Sequence, residues 1–118
     1  MKILAAFLLL VSSAFADGPV RHVVHFKFKK DAEPAAVQKV VDEFAKLKAK
    51  ISAIESLEGG KDISPEKLSK GFTHCWIVSF KSEADRDVYL THTDHVAFVN
   101  VLKPVLEEAL VVDFIPGK

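Results

Sequence analysis

Apolar and polar residues alternate along two segments of the chain. In residues 20–28 and again in residues 71–80, the even positions carry mostly apolar side chains and the odd positions are more polar. A period of two is typical of a β-strand that buries one face. We therefore predict two long strands, each with a core-facing side at its even positions and an outer side at its odd positions.

Helical spacing follows each of these strands. After Pro34, which suits a first helical turn, apolar residues recur every three or four positions over residues 37–51. Ser82 is a good N-cap for a short second helix. A further helical stretch spans residues 98–109 and contains Pro104, which would break or restart it. These patterns predict helices that cover one face of a sheet.

Two shorter segments complete the pattern. Residues 54–57 form an apolar stretch before a Gly-Gly pair, a polar loop occupies residues 61–70, and residues 110–115 are rich in β-formers. The resulting order is β-α-β-β-α-β. This order predicts an α+β sandwich, with helices on one side of an antiparallel sheet.

The outer side of this sheet would stay uncovered. It carries β-branched residues between polar ones: Val23, Ile77 and some of Val111, Val112 and Ile115 lie among Arg21, His25, Lys27 and Ser79. A mixed surface of this kind favours dimerisation of two sheets face to face. The alternative is a solvated antiparallel face with scattered apolar residues.

The first sixteen residues form a separate segment. One Lys, an apolar run and small residues before position 17 are typical of a secretory signal peptide, which we expect to be cleaved after Ala16. The apolar run is too short for a membrane-spanning helix, which needs about 20 residues. We predict an exported protein, secreted or periplasmic, with one domain at residues 17–118. A buried N-terminal strand or helix is the alternative.

Charge and cysteine content narrow the class of protein. The 118 residues carry 16 basic and 16 acidic side chains, so the net charge of zero gives no electrostatic reason to expect nucleic acid as a partner. We expect no membrane partner after signal cleavage. Cys75 is the only cysteine, so it either fills space in the core or pairs with Cys75 of a second copy.

Histidine and tyrosine side chains are placed to share one apolar space. The core-facing sides of the two long strands carry His22 and His74, and His95 stands near the start of the last helix. Three imidazoles and a phenol in an apolar pocket suit acid/base chemistry. We consider His95 a candidate catalytic base, with Tyr89 orienting it or polarising a carbonyl group. The expected ligand-pocket residues are His22, Val24, Phe26, Phe44, His74 and Trp76. The alternative is that these polar groups are structural and tie the helices to the sheet.

His92 and His95 stand three positions apart, a spacing that can place two imidazoles on one face of a helix. A zinc-like ion would need a third ligand from elsewhere in the chain. We therefore predict neither a metal nor a cofactor, and interpret His92 as a cap or loop residue.

Four segments together resemble a known family. Residues 20–28, 71–74, 87–95 and 113–116 are similar, in order and spacing, to successive motifs of the stress-responsive dimeric α+β barrel (Dabb) family. The similarity spans essentially all of residues 20–116. The resemblance implies a ferredoxin-like α+β protomer whose sheet pairs with a second copy to form a barrel, and therefore a homodimer.

The resemblance also implies candidate site residues. Members of the olivetolic acid cyclase type close a polyketide ring by an aldol step with a Tyr and a His, which match Tyr89 and His95. Two further histidines of that type match His22 and His74.

Most members of the family have no assigned reaction, and a fold does not determine chemistry. We therefore expect an exported stress-response protein that binds a small hydrophobic or aromatic molecule, or one without catalytic activity. The alternatives are an acid/base enzyme of the cyclase type and, by fold analogy, a haem-handling or monooxygenase-like barrel. A pocket open to a ring compound would favour the enzyme, whereas a pocket filled by Phe44, Trp76 and Phe98 would favour the first hypothesis.

Overall fold

The computed structural model describes residues 18–118, so the predicted signal peptide lies outside the described residues. Seven elements follow one another: β1 (Val20–Phe28), α1 (Pro34–Lys50), β2 (Ser56–Lys61), β3 (His74–Phe80), α2 (Glu83–Thr91), α3 (Thr93–Leu102) and β4 (Leu106–Phe114). The predicted β-α-β-β-α-β order is present, with the second helical region divided into two helices. No helix in this part of the chain is long and apolar enough to cross a membrane.

The four strands form one antiparallel sheet in the order β2-β3-β1-β4. The central strand β1 places Val24 opposite Trp76 on β3 and opposite Val111 on β4. Since paired residues in a sheet point to the same face, this register fixes which side chains face the helices. The even positions of β1 and β3 are core-facing, as the alternation predicted.

The core lies between this face and the helices. Phe44 of α1 stacks on Trp76 with ring centroids 4.6 Å apart, and Phe98 of α3 lies 4.8 Å from Phe44. Trp76 packs across β2 at Gly59, where a Cβ atom would lie 2.2 Å from the indole ring. Glycine is therefore required at this position, because no side chain fits beneath the indole.

The structure corrects the predicted boundary of the last strand. Residues 106–109 were predicted to be helical, but they belong to β4, where Ala109 pairs with Phe26 of β1. The last helix ends at Leu102, before Pro104. The residues after Pro104 lie beside β1, and their backbone groups form hydrogen bonds with that strand. The second strand also differs from the prediction, since β2 runs through both glycines of the Gly-Gly pair to Lys61.

The outer face of the sheet carries an apolar row. Val23 lies between Ile77 on β3 and Val112 on β4, and the last two are 36% and 49% exposed. The prediction that Val23, Ile77 and Val112 lie on the outer face is confirmed. Val111 and Ile115 instead lie on the opposite side, because β4 alternates around Val112; Val111 pairs with core-facing Val24, and Ile115 packs against the core.

Candidate functional site

A cavity of ≈310 Å³ lies between the sheet and helices α2 and α3. Apolar side chains form most of its wall, and its polar side chains are His22, Tyr89 and His95. Its volume is at the lower end of the range for small-molecule sites and about twice that of an engineered cavity that binds benzene. Phe44 and Phe98 pack together without filling it, so the space suits a compound with one ring.

His22 is buried on β1 and paired in register with Asp113 on β4. Its Nδ1 atom lies 2.6 Å from Asp113 Oδ1. An ionised carboxylate can only accept a hydrogen bond, so His22 Nδ1 carries the proton and donates. In the neutral imidazole, Nε2 is then the acceptor.

The second oxygen of Asp113 is also occupied. Arg86 of α2 donates from Nη1 to Asp113 Oδ2 at 2.8 Å, and its Nε donates to Asp87 Oδ1 at 3.0 Å. The hydrogen bond to Asp113 is the largest cause of a raised pKa at Arg86. Asp113 on β4 thus links the guanidinium of Arg86 on α2 to the imidazole of His22 on β1.

Tyr89 closes the cavity from α2. Only 1% of its surface is exposed, and its ring lies 5.7 Å from His22 and 4.3 Å from His95, measured between centroids. Burial raises the pKa of the phenol well above its usual value. The hydroxyl therefore stays protonated at neutral pH and can donate a hydrogen bond.

His95 reaches the cavity because the chain breaks between α2 and α3. His92 is the break point, since its Nδ1 accepts a hydrogen bond from the Asp94 amide at 3.0 Å and caps α3. One turn later, His95 Nδ1 donates to the Leu90 carbonyl oxygen at 3.1 Å. A carbonyl oxygen only accepts, so His95 carries its proton on Nδ1 and presents Nε2 as an acceptor.

Electrostatics favour the neutral form of His95. Burial lowers its pKa, and the nearby His22 and His92 lower it further, against the opposing effect of the Leu90 carbonyl. A neutral imidazole with an unprotonated Nε2 is the form that a general base requires.

Two of the expected pocket residues do not line this cavity. His74 and Trp76 stack on each other one strand away, and the rings of Phe26 and Phe44 pack on Trp76 from the cavity side. His74 and Trp76 line a separate space of ≈90 Å³. The other expected residues, namely His22, Val24, Phe26, Phe44, Tyr89 and His95, all line the cavity of ≈310 Å³.

The sequence and the fold are similar to those of known proteins. The sequence model of the stress-responsive A/B barrel domain family matches residues 20–116. The chain belongs to this family. A relative, the stress-response A/B barrel domain-containing protein HS1 of Arabidopsis thaliana, is 33% identical over 101 residues, covering 86% of this chain and 93% of that protein.

Two further proteins are similar to this A/B barrel protein. Olivetolic acid cyclase of Cannabis sativa is 29% identical over 99 residues, which cover 84% of this chain and 98% of the cyclase. The crystal structure of a dimeric protein from Bacteroides fragilis with a ferredoxin-like fold matches with a TM-score of 0.69 and 29% identity, covering 83% of this chain and 96% of that one. The predicted ferredoxin-like α+β class is thereby confirmed.

A larger cavity, of ≈480 Å³, lies on the outer side of the sheet beneath the loop after β2. Its wall includes His25, Leu68, Leu110 and Cys75. Burial raises the pKa of the Cys75 thiol, which disfavours the reactive thiolate. This cavity lacks the Tyr89 and His95 pair, so we place the candidate functional site in the smaller, core-side cavity of this A/B barrel protein.

The metal alternative has no geometric support among residues 18–118, where no group of three or more His, Cys, Asp or Glu side chains could hold an ion. His92 is the N-cap of α3, as interpreted.

Sequence reasoning missed Arg86 and Asp113 as site residues. Asp113 lies in one of the four family-like segments, but its contact with His22 spans 91 positions. Arg86 lies between Asp85 and Asp87 in an acidic stretch. Such a stretch is typical of a solvated helix surface, so its sequence does not indicate a site residue.

Proposed function

We propose that this A/B barrel protein binds a small, neutral ring compound with at least one hydroxyl group in the core-side cavity. The observation that carries this proposal is a largely apolar space of ≈310 Å³ with His22, Tyr89 and His95 at its wall. An apolar pocket with a few placed polar groups is the usual form of a small-molecule site.

The polar groups of the cavity favour a hydrogen-bond donor in the ligand. His22 and His95 each commit Nδ1 to a partner and keep Nε2 as an acceptor. None of the described Lys or Arg side chains lines this cavity, so a carboxylate would lose its hydration without gaining a cation. A phenol satisfies the acceptors and fills the apolar space.

The test compares phenol and 3-methylphenol with benzoate, a carboxylate of the same ring size. Thermal unfolding of the protein is followed with each compound. The phenols should raise the midpoint, since binding to the native state at a hundred times Kd adds about 2.7 kcal/mol of stability. Benzoate should have no effect.

Ala109→Phe is the matched variant, since Ala109 lines the cavity and a larger side chain fills it. The phenol effect should disappear in Ala109→Phe and persist in His25→Ala, which alters a histidine on the outer face. No effect of either phenol, or an unchanged effect in Ala109→Phe, would contradict the proposed site.

A second candidate function is acid/base catalysis in the same cavity, since a cavity that Phe44 and Phe98 leave open to a ring compound is the feature expected of such an enzyme. The observation that favours it is the His95 Nδ1 to Leu90 carbonyl bond, which fixes the tautomer a base needs, with the Tyr89 ring 4.3 Å away. His95 Nε2 would take a proton from a carbon beside a carbonyl group. Tyr89 would donate a hydrogen bond to the enolate oxygen that forms. The olivetolic acid cyclase relative supports this candidate.

Proton exchange tests this chemistry without knowledge of the substrate. Acetophenone in D₂O loses its methyl proton signal by NMR as deuterium replaces hydrogen. Catalysis predicts exchange above the buffer rate, reduced about 100-fold in His95→Ala and less strongly in Tyr89→Phe. Exchange at the buffer rate, together with phenol binding, would support a binding protein and contradict the enzyme.

We further infer that two copies pair through the outer faces of their sheets. The support is the outward-facing row of Val23, Ile77 and Val112, of which Ile77 and Val112 are exposed, and the dimeric state of the Bacteroides fragilis protein. We also propose that the protein is exported and cleaved after Ala16. Edman sequencing of the protein recovered outside the cytoplasm tests this proposal. An N-terminus at Asp17 is expected, and an intact Met1 would contradict it.

A further inference from the structure

The outer cavity of ≈480 Å³ has the form of a second ligand site. Its floor is one row of the sheet, in which His25 of β1 pairs with Cys75 of β3 and with Leu110 of β4. Leu68 and Phe72, in the loop after β2, also line it. We propose that this cavity binds an anionic amphiphile, a carboxylate at one end of an unbranched alkyl chain, in addition to the neutral compound proposed for the core-side cavity.

The cavity runs across the strands, with different chemistry at its two ends. Lys61, the last residue of β2, lies at one edge of the sheet, and Leu110 lies on β4 at the other edge. Three strand-to-strand steps separate these edges, which is about 14 Å at the usual spacing. A long chain with its charge at one end matches this arrangement, whereas a single ring spans only part of it.

The apolar part of the cavity wall includes side chains that the protein leaves exposed. Leu68 is 64% exposed and Leu110 is 45% exposed, although both line the cavity. The Phe72 ring lies edge-on to the His25 ring, with the ring centroids 6.4 Å apart. An alkyl chain in the cavity would cover these side chains, and the burial of each of its methylene groups favours binding.

The charged side chains of the cavity wall favour an anion. Lys61 and Lys70 both line the cavity, and neither forms an ion pair within residues 18–118. Asp62 is the only acidic residue among the described residues that line it, and its Oδ1 atom accepts a hydrogen bond from the Ser64 amide at 3.0 Å. Two cations can therefore compensate a carboxylate for its lost hydration, whereas no described Lys or Arg lines the core-side cavity.

The loop that covers the cavity is tied to the sheet at both ends. The Asp62 amide donates to the Thr73 carbonyl oxygen at 2.9 Å, and the Thr73 amide donates to the Phe26 carbonyl oxygen at 3.0 Å. Between these contacts, Lys67 and Lys70 adopt left-handed backbone conformations, with a φ of 58° at each. Such conformations are uncommon outside glycine and persist where the surrounding structure holds them. The loop therefore has a defined shape over the sheet.

The cavity borders the proposed dimer interface. Its floor is the row of residues next to Val23, Ile77 and Val112, and its cover belongs to the same chain. One protomer thus supplies both floor and cover. The proposed occupant is an amphiphile and not a second copy of the chain.

The probe for this site is octanoate, and octylammonium carries the same alkyl chain with the opposite charge. Isothermal titration calorimetry of the native protein at neutral pH should detect binding of octanoate and none of octylammonium. Acetate lacks the chain and should not bind measurably. Benzoate should not bind either, because its carboxylate is attached directly to the ring, so burial of the ring would also bury the charge.

Lysine variants test the contact with the anion. The double variant Lys61→Gln, Lys70→Gln should raise the Kd for octanoate about tenfold, within the range for two exposed ion pairs. Lys67→Gln is the matched control, because it removes a charge from the same loop at a position that does not line the cavity. Its Kd should equal that of the native protein. All three lysines are exposed, so these variants should fold.

Nuclear Overhauser effects locate the alkyl chain, which should contact the methyl groups of Leu68 and Leu110. Contacts with Leu106 and Val111 instead, equal binding of octylammonium, or no binding of octanoate would overturn the proposal. Loss of the Leu68 and Leu110 contacts as the protein concentration rises would also overturn it, because a second copy would then occupy the space.

This test and the phenol test fail independently. The two cavities share no lining residue among residues 18–118. Ala109→Phe, which fills the core-side cavity, should therefore abolish the phenol effect and leave the Kd for octanoate unchanged. Octanoate binding that disappears in Ala109→Phe would place the ligand in the core-side cavity and contradict the second site.

Discussion

His22 and Asp113 are 91 positions apart in the chain, and their side chains meet at 2.6 Å. The two residues are paired in register on β1 and β4, on the face that carries the cavity. Their contact therefore ties the last strand to the centre of the sheet and holds one imidazole of the site in a single tautomer. The stability of β4 and the chemistry of the cavity depend on the same hydrogen bond.

Substitution of Asp113 should accordingly destabilise the fold. Asp113→Asn keeps the side-chain shape but loses the charge that both Arg86 and His22 contact. We expect the free energy of unfolding to fall by about 2 kcal/mol, a typical cost for hydrogen bonds to charged groups. Urea denaturation measures the change. Asp87→Asn is the control, and its 66% exposed side chain should alter stability by less than about 0.5 kcal/mol.

The two glycines of β2 should differ sharply. A Cβ atom at position 59 would lie 2.2 Å from the Trp76 ring and 2.7 Å from the Cys75 carbonyl oxygen, whereas a Cβ atom at Gly60 meets nothing within 4 Å. Gly59→Ala should therefore lower the free energy of unfolding by about 1–3 kcal/mol, the range for overpacking. Equal effects of Gly59→Ala and Gly60→Ala in the same denaturation assay would contradict the packing of Trp76 described above.

Stability should fall as the solution becomes acidic. Burial lowers the pKa of His74, with a further contribution from Lys61, and burial also lowers the pKa of His95. Below the ordinary His pKa of about 6.5, the unfolded chain binds protons that the folded chain refuses. The contribution of these neutral histidines is thus complete above that pH and is lost as the pH falls.

Denaturation curves between about pH 8 and pH 5 test this dependence, because the unfolded chain takes up its His protons in that window. His74→Leu should show a weaker decrease than the native protein, since His74 Nε2 is buried without a partner among the described residues. An identical pH profile in His74→Leu would show that His74 does not contribute to the acid sensitivity.

The outer face should determine the oligomeric state. Val112→Lys places a charge in the row formed with Val23 and Ile77, and burial of an unpaired charge opposes association. We expect a dimer for the native protein and a monomer for Val112→Lys by light scattering. Ile63→Lys is the control, because Ile63 lies in the loop after β2 and is 93% exposed. Native protein that is monomeric at high concentration would contradict the dimer.

Local patterns predicted the parts of the fold that depend on local sequence. The period of two in β1 placed His22 and Val24 on the core-facing side, because alternation needs no knowledge of the partner strand. The spacing of α1 likewise predicted the burial of Phe44. Tyr89 and His95 were identified in advance because both the chemistry of the side chains and the family resemblance pointed to them.

The remainder depended on long-range pairing. The sequence could not identify Asp113 as the partner of His22, because the phase of β4 was undefined once residues 106–109 were read as helix. His74 was grouped with His22 because both face the core. The register pairs His74 with Phe26 and His22 with Val78, so the two imidazoles lie at different points along the β1–β3 pair, and Trp76 packs between His74 and the rings of Phe26 and Phe44. Facing the same side of a sheet does not place two residues in the same cavity.

The central claim is that a small neutral ring compound binds in the core-side cavity, and the most direct test is to locate one there. Nuclear Overhauser effects between 3-methylphenol and the methyl groups of the protein report which side chains lie beside the ring. We predict contacts with Val24, Leu106 and Val111, which line the cavity of ≈310 Å³. Contacts with Leu68 and Leu110 instead, which line the outer cavity, or none with either set, would contradict the account.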